Sequence, residues 1–165
     1  MKRCMAVLFA TAGLVAAGFA CAVPSDYKLT TQGNDPLVKE LEGRLRALTG
    51  AAVMGDLAGA RALRPAAVNK SLRTPYTRDT LKTAAPVIAP NLSGYRFVQM
   101  ESSSSRARLV YEKRSPDQLT ILVQLFVKEG DWKVGSNHLQ AYVGKPPNTA
   151  DAIAAALKSP AVQLP

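Results

Sequence analysis

The chain contains one histidine, His138, and its chemistry is the first question that the sequence raises. An imidazole exchanges protons near neutral pH, but a general base also needs a carboxylate or similar group to orient its ring. The nearest acids along the chain, Glu129 and Asp131, belong to a turn at the far end of the same predicted strand. Three interpretations of His138 therefore stay open: proton transfer, contact with a ligand, or no special role.

Thiol and metal chemistry are not expected in the folded domain. Both cysteines, Cys4 and Cys21, lie in the first 22 residues, which have the pattern of a targeting segment. The remaining residues then contain no thiol nucleophile and no disulfide, and a single histidine does not make a structural zinc site. The sequence predicts neither a metal nor a cofactor.

The amino-terminal segment predicts export. Residues 1–3 are short and basic, residues 4–19 are apolar and uncharged, and Ala20-Cys21-Ala22 supplies a small-x-small cleavage pattern. We expect a signal peptide over residues 1–22, cleaved between Ala22 and Val23. The mature protein would then be periplasmic or secreted in a bacterial envelope.

A lipid anchor is the alternative route for the same segment. Residues 18–21 form a loose lipobox in which Cys21 would become the lipidated amino terminus. The small Ala20 fits this interpretation, whereas the absence of leucine three positions before Cys21 counts against it. Membrane association is expected only if Cys21 is lipidated.

The formal net charge of +9 is spread along the whole chain and forms no basic run. A solvated basic surface is the simplest interpretation, and attraction to anionic lipid head groups or glycans is the functional one. Nucleic acid is not expected as a partner, because no stacking motif accompanies the charge.

The first half of the chain predicts helices. Residues 23–34 are polar without an apolar period and are assigned to a linker. Asp35 can cap a helix that begins at Pro36, and Asp56 can cap a second helix that Pro65 ends. Leucines at helical spacing mark the buried side of the first helix. A third helix is expected from Thr77 to about Ile88.

From residue 94 the apolar period changes to two, which is typical of strands. Four strands are predicted, over residues 95–101, 106–114, 118–128 and 131–142, and short connectors make neighbouring strands antiparallel. The third strand is apolar on both faces, so the second face needs a covering, either a partner subunit or the carboxy-terminal helix. That short helix is expected within the tail 144–165, from Asn148 or Thr149 to Lys158.

Two stretches carry a resemblance to a known family. "LRALTGAAVMGDLAGARALRP" is similar to the first helix, Gly-Asp-Leu break and second helix of the nuclear-transport-factor-2-like superfamily. "LTILVQLFVKEGDWKV" is similar to its final hairpin, and the likeness covers residues 35–143. The resemblance implies an α+β domain of the small bacterial secreted or lipoprotein type, with helices on a curved, cone-shaped antiparallel sheet. It does not imply one function, since the superfamily holds enzymes, binding modules and assembly domains.

The resemblance also implies a cavity between the helices and the sheet. Strict alternation puts six side chains of the last strand on one face: Trp132, Val134, Ser136, His138, Gln140 and Tyr142. If Trp132 and Val134 point into the cone, as the resemblance implies, the other four side chains line the cavity wall. Tyr95 and Tyr111 could face it, although a one-residue slip would reverse that placement.

The enzymes of this superfamily place an aspartate, or a His–Asp pair, in the cavity with tyrosines. The predicted strands here carry acids only near their ends or at Glu101 and Glu112, which departs from that pattern. Arg73 and Tyr76, beside Pro75, could hold an anionic ligand at the mouth, or could belong to an ordinary surface loop.

These observations predict a non-catalytic module that binds a small apolar or anionic ligand or assembles as a homodimer through its sheet face. A cofactor-free lyase or isomerase that uses His138 with Tyr95 or Tyr111 is the first alternative. The second is a protein whose basic surface docks on anionic glycan or lipid.

Overall fold

The computed structural model describes residues 26–71 and 76–164, and it is an α+β domain with an antiparallel sheet. The predicted signal cleavage at Ala22–Val23, the lipidation candidate Cys21 and Arg73 lie outside these residues. In chain order the elements are β1 (Lys28–Thr30), α1 (Pro36–Met54), α2 (Leu57–Ala62), α3 (Ala66–Ser71), α4 (Arg78–Ile88), β2 (Arg96–Ser102), β3 (Arg106–Ser115), β4 (Gln118–Glu129), β5 (Asp131–Val143), α5 (Thr149–Ala156) and a 3-10 turn (Pro160–Val162).

The sheet has five strands in the order β1-β2-β3-β4-β5, so the prediction of four was one short. The extra strand, β1, lies in the segment assigned to a linker and pairs with β2 from Lys28↔Ser102 to Thr30↔Met100. It has one apolar residue, Leu29, which is exposed. Because β1 is held by backbone pairing to the edge of β2 and buries little apolar surface, it leaves no alternating pattern in the sequence.

The predicted helix starts are confirmed by their caps. The side chain of Asp35 accepts a hydrogen bond from the Leu37 amide at 2.8 Å, and that of Asp56 accepts one from Gly59 at 3.0 Å. Thr77 and Thr80 form a reciprocal capping box at α4. Each of these bonds satisfies a backbone amide of the first helical turn that has no partner within the helix. Because the capping residue lies next to that turn, a short sequence pattern locates the helix start.

Helices cover both faces of the sheet. α1 and α4 pack on one face, hereafter the helix face, against side chains that include Leu122 and Phe126 of β4. α5 and the 3-10 turn pack on the other, hereafter the tail face, against a cluster that includes Ile121 and Val123. β4 lies between β3 and β5 and is buried on both sides, as its composition predicted. The carboxy-terminal helix supplies the second covering.

A β-bulge divides β5 into two halves that face opposite ways. Phe126 pairs with Val134, but Gln124 pairs with Asn137, so Gly135 and Ser136 both lie opposite Leu125. A Cβ at Gly135 would lie 3.1 Å from the Leu125 carbonyl oxygen, which favours glycine there. The buried side-chain amide of Gln124 donates through Nε2 to the backbone carbonyls of Leu125, Gly135 and Ser136, at 3.0, 3.3 and 3.0 Å. This side chain satisfies backbone groups around the bulge that strand pairing leaves open.

The expectation that six side chains of the last strand share one face is therefore wrong. Trp132 and Val134 belong to the helix face, together with the buried core there. The extra residue in the bulge sends the other four to the tail face: Ser136, His138, Gln140 and Tyr142. Within residues 26–71 and 76–164, no helix combines the length and apolar character needed to cross a membrane.

Candidate functional site

A cavity of about 410 Å³ opens on the helix face, between α1 and the strands β2 and β3. Hereafter it is called the helix-face cavity. One wall is a stripe of α1, the second is the loop that follows α4, and the third is formed by aromatic side chains of the sheet. Its lining residues are Glu42, Leu45, Arg46, Thr49, Pro90, Asn91, Leu92, Ser93, Tyr95, Phe97 and Tyr111.

The loop wall is shaped by local hydrogen bonds. The Asn91 side chain accepts a hydrogen bond from the Ser93 amide at 2.9 Å, and the Tyr95 amide donates to the Leu92 carbonyl at 3.0 Å. The Thr49 hydroxyl donates to the Leu45 carbonyl of its own helix at 2.9 Å and also lies 3.3 Å from the Ala89 carbonyl at the start of this loop. These bonds hold the loop as an ordered turn, so the cavity is bordered by defined structure on three sides.

A part-buried hydrogen bond joins two residues of the cavity lining. Tyr111 is 2% exposed, and its hydroxyl donates to the Glu42 carboxylate at 3.1 Å. Its ring meets Phe97 edge to face, with centroids 5.9 Å apart. Burial raises the pKa of Tyr111 well above its usual value, and the charge of Glu42 and this hydrogen bond raise it further, while the charge of Arg46 opposes them. The hydroxyl therefore keeps its proton.

Glu42 connects this buried donor to the solvent. Its second oxygen accepts a hydrogen bond from Arg46 at 2.9 Å, one helical turn further along α1. The Arg46 side chain is 71% exposed, whereas that of Glu42 is 21% exposed. Such an exposed pair adds little stability, so Arg46 can leave Glu42 at small cost when another donor arrives.

Tyr95 forms part of the opposite wall. It is half-buried, and burial raises its pKa. The ammonium group of Lys113 lies 5.9 Å from the centre of its ring, within the range of a cation–π contact. The cavity thus combines apolar and aromatic walls with a carboxylate, a tyrosine hydroxyl and nearby cations.

Two of the predicted pocket residues, Tyr95 and Tyr111, line this cavity, and five do not. Trp132 is buried in the helix-face core, with Lys128 5.6 Å from its ring, and so acts as a packing residue. Ser136 donates to the Ala161 carbonyl at 2.5 Å, and Tyr142 packs against the α5 cluster. His138 and Gln140 are half-buried on the same tail face. Any ligand contact by these four β5 side chains stays a prediction.

The sequence did not single out the two charged residues of the cavity, Glu42 and Arg46. Glu42 sits among charged residues on α1, whose buried side is marked by leucines. A signal was nevertheless present, because Glu42 follows the buried Leu41 and precedes the buried Leu45 by three positions. That spacing places it at the border of the apolar stripe, where a side chain reaches a neighbouring wall.

In the described part of the chain, no three residues of the types histidine, cysteine, aspartate and glutamate come together as possible metal ligands. Within residues 26–71 and 76–164, no carboxylate is hydrogen-bonded to His138. Comparisons with protein-family models, curated proteins and solved structures found no match to this chain.

A second carboxylate, Glu112, anchors α5 to the tail face. One oxygen accepts a hydrogen bond from Arg96 Nε at 3.0 Å, and the other accepts one from the Thr149 hydroxyl at 2.8 Å. Burial raises the pKa of Glu112, but the bonds from Arg96 and Thr149 and the charges of Arg96 and Arg114 outweigh it. The net pKa therefore lies below the ordinary 4.5.

We expect Glu112→Gln to remove part of the acid sensitivity of the fold. Because the folded pKa of Glu112 is depressed, its contribution is complete above the unfolded pKa and is lost as pH falls through the folded pKa. At pH 7 the variant should lose about 1.5–3 kcal/mol of unfolding free energy, the usual range for bonds to a charged group. The difference from wild type should shrink below pH 4.5.

Urea unfolding at pH 7, 5, 4 and 3 measures this trend. Glu40→Gln, the same change at an exposed position of α1, is the matched control and should follow the wild type at every pH. A Glu112→Gln variant whose difference from wild type stays constant across this range would contradict the assignment.

Proposed function

We propose that this chain is an exported bacterial envelope protein that binds a small ligand, without catalysis, in the helix-face cavity. One observation carries the proposal: a cavity of about 410 Å³ is lined by a part-buried Tyr111–Glu42 hydrogen bond. Ligand sites are typically clefts of about 300–1,000 Å³ with apolar walls and a few convergent polar groups. This cavity has a volume in that range, apolar and aromatic side chains in its walls and polar groups that converge on it.

The polar groups indicate the ligand's chemistry. The Tyr111 proton is donated to Glu42, so the hydroxyl oxygen and the carboxylate offer hydrogen-bond acceptors. Leu45, Leu92 and Phe97 offer apolar contact along the walls. A compact, largely apolar or aromatic molecule with a hydroxyl or amine donor at one end meets both requirements.

The finer statements about the fold and the compartment belong to the same proposal. A nuclear-transport-factor-2-like, cone-shaped domain is supported by the packing of α1 and α4 on the helix face of an antiparallel sheet, with a cavity between helix and sheet. Export is supported by the basic, apolar and small-residue order of residues 1–22.

The alternatives receive less support from the geometry. Either a second subunit or the carboxy-terminal helix was predicted to cover the second face of β4, and α5 and the 3-10 turn of the same chain occupy it. The lyase or isomerase hypothesis paired His138 with Tyr95 or Tyr111, but the tyrosines line the helix-face cavity and His138 lies on the tail face.

Native mass spectrometry of the gently purified protein tests the proposal. We expect one small molecule per chain, released on denaturation and identified from the extract. Leu92→Trp should fill the cavity and reduce retention at least tenfold, because Leu92 lines the loop wall. Leu139→Trp is the matched control, since Leu139 is exposed and outside the cavity lining, and it should retain the ligand as wild type does.

Two results would overturn the binding function. The first is a retained molecule that Leu92→Trp holds as well as wild type does. The second is an empty wild-type protein whose melting temperature is unchanged by a panel of small phenols, aromatic amines and aliphatic alcohols.

A further inference from the structure

Arg64 is a partly buried cation with buried donors that lack a partner. It lies between α2 and Pro65, and its Nε and Nη1 atoms make no hydrogen bond within the described part of the chain. It borders a second cavity of about 20 Å³, separate from the helix-face cavity. The other lining residues are Leu57, Ala60, Arg61, Asn69, Tyr76 and Leu81.

A guanidinium group in this position needs an acceptor. Arginine stays protonated at any physiological pH, so it cannot relieve its burial by losing its charge, as a buried lysine can. Buried donors without acceptors are rare in folded proteins because their lost hydration is not replaced. Water would satisfy a donor but leave the positive charge, whereas an anion satisfies both.

Two carboxylates bind backbone amides of α2 and α3, the helices on either side of Arg64. Asp56 caps α2 through the Gly59 amide at 3.0 Å, and Glu129 accepts a hydrogen bond from the Ala66 amide at 3.0 Å. Among residues 26–71 and 76–164, the ion pairs within 4.0 Å do not include Arg64 or Arg61. The second cavity therefore has two cations on its border and no paired carboxylate among the described residues.

The backbone around the two arginines is also held in place. The Asn69 side-chain amide donates to the Arg61 carbonyl at 3.0 Å and to the Arg64 carbonyl at 3.4 Å. The Asn69 backbone amide donates to the Pro65 carbonyl at 3.1 Å. This corner presents Arg64 from a defined turn, which lowers the entropy cost of holding a ligand.

We propose that the cavity beside Arg64 is a binding site for one small anion. About 20 Å³ accommodates one atom of the size of water. The ligand is therefore a halide such as chloride, or a small oxyanion such as acetate or phosphate with one oxygen inserted. The anion accepts hydrogen bonds from the buried donors of Arg64, Nε and Nη1, and neutralises the charge of the guanidinium group. This site is independent of the ligand proposed for the helix-face cavity.

Chloride-35 nuclear magnetic resonance tests the site with chloride as the probe. The wild-type protein should broaden the chloride line in a saturable way, with one site per chain, and acetate or phosphate should reverse the broadening. Arg64→Met should reduce the excess line width at least fivefold. Lys145→Met removes one exposed positive charge elsewhere and is the matched control, so its line width should equal that of wild type.

A second measurement on wild type keeps the test independent of whether Arg64→Met folds. One arginine Nε–H resonance should shift with chloride at the same midpoint as the line width, and it should be absent in Arg64→Lys. Broadening that does not saturate, or that Arg64→Met retains in folded form, would overturn the proposal. So would the absence of any chloride-dependent arginine resonance.

Discussion

Replacing Glu101 with alanine will lower the free energy of unfolding by about 3–5 kcal/mol, the range for removing one member of a buried ion pair. Glu101 and Arg108 face each other across β2 and β3 and are 2% and 6% exposed. Arg108 donates to one oxygen of Glu101 through Nε at 2.9 Å and Nη2 at 2.6 Å. Without the carboxylate, the guanidinium would stay buried with its charge uncompensated.

The loss should reverse when both charges are removed. A double variant, Glu101→Leu with Arg108→Met, removes both charges of the pair. Its free energy of unfolding should lie within about 2 kcal/mol of the wild-type value, since apolar replacements of buried pairs are often neutral. Glu40→Ala removes an exposed carboxylate and should be neutral within about 0.5 kcal/mol. Urea unfolding followed by circular dichroism measures all four proteins. A double variant as unstable as Glu101→Ala would show that the charge pairing is not the cause.

The same pair explains why the carboxy-terminal segment belongs to the fold. The third donor of Arg108, Nη1, reaches the Val162 carbonyl at 3.2 Å and holds the 3-10 turn against the tail face. The 3-10 turn carries too short an apolar pattern to show this from sequence. Part of what holds it is a guanidinium from β3, more than fifty residues earlier in the chain.

The local features were predictable because their causes are local. A cap is a hydrogen bond between a side chain and a backbone amide two or three residues away. Asp35, Asp56 and Thr77 therefore predict where their helices begin. The strands β2 to β5 were likewise predicted to within about one residue at each end, because alternation and turn residues report pairing between neighbours.

The bulge was not predictable in the same way. Its stabilising contacts come from Gln124 on the neighbouring strand, and alternation along β5 continues on both sides without a visible break. One added residue moved His138 away from the cavity where the resemblance placed it. The candidate site was accordingly predicted in part: Tyr95 and Tyr111 were found, whereas Glu42 required knowing which strand α1 packs against.

The last prediction compares two leucines that lie opposite each other in the sheet. Leu122 of β4 and Leu139 of β5 are paired, so both side chains point to the helix face. Leu122 is fully buried in the core beneath α1 and α4, whereas Leu139 is 53% exposed. Leu122→Ala should lower the free energy of unfolding by about 2–5 kcal/mol, because it deletes buried apolar atoms and leaves a cavity in the core. Leu139→Ala should cost less than about 1 kcal/mol, because solvent fills the space.

Each variant is the control for the other, because the same atoms are removed from the same strand pair. Equilibrium unfolding in urea gives both free energies, and an unchanged dependence on denaturant shows that the unfolded states are comparable. Equal losses would contradict the exposed position of Leu139. A loss of several kcal/mol at Leu122 with little change at Leu139 would confirm that α1 and α4 cover β4 and leave this part of β5 exposed.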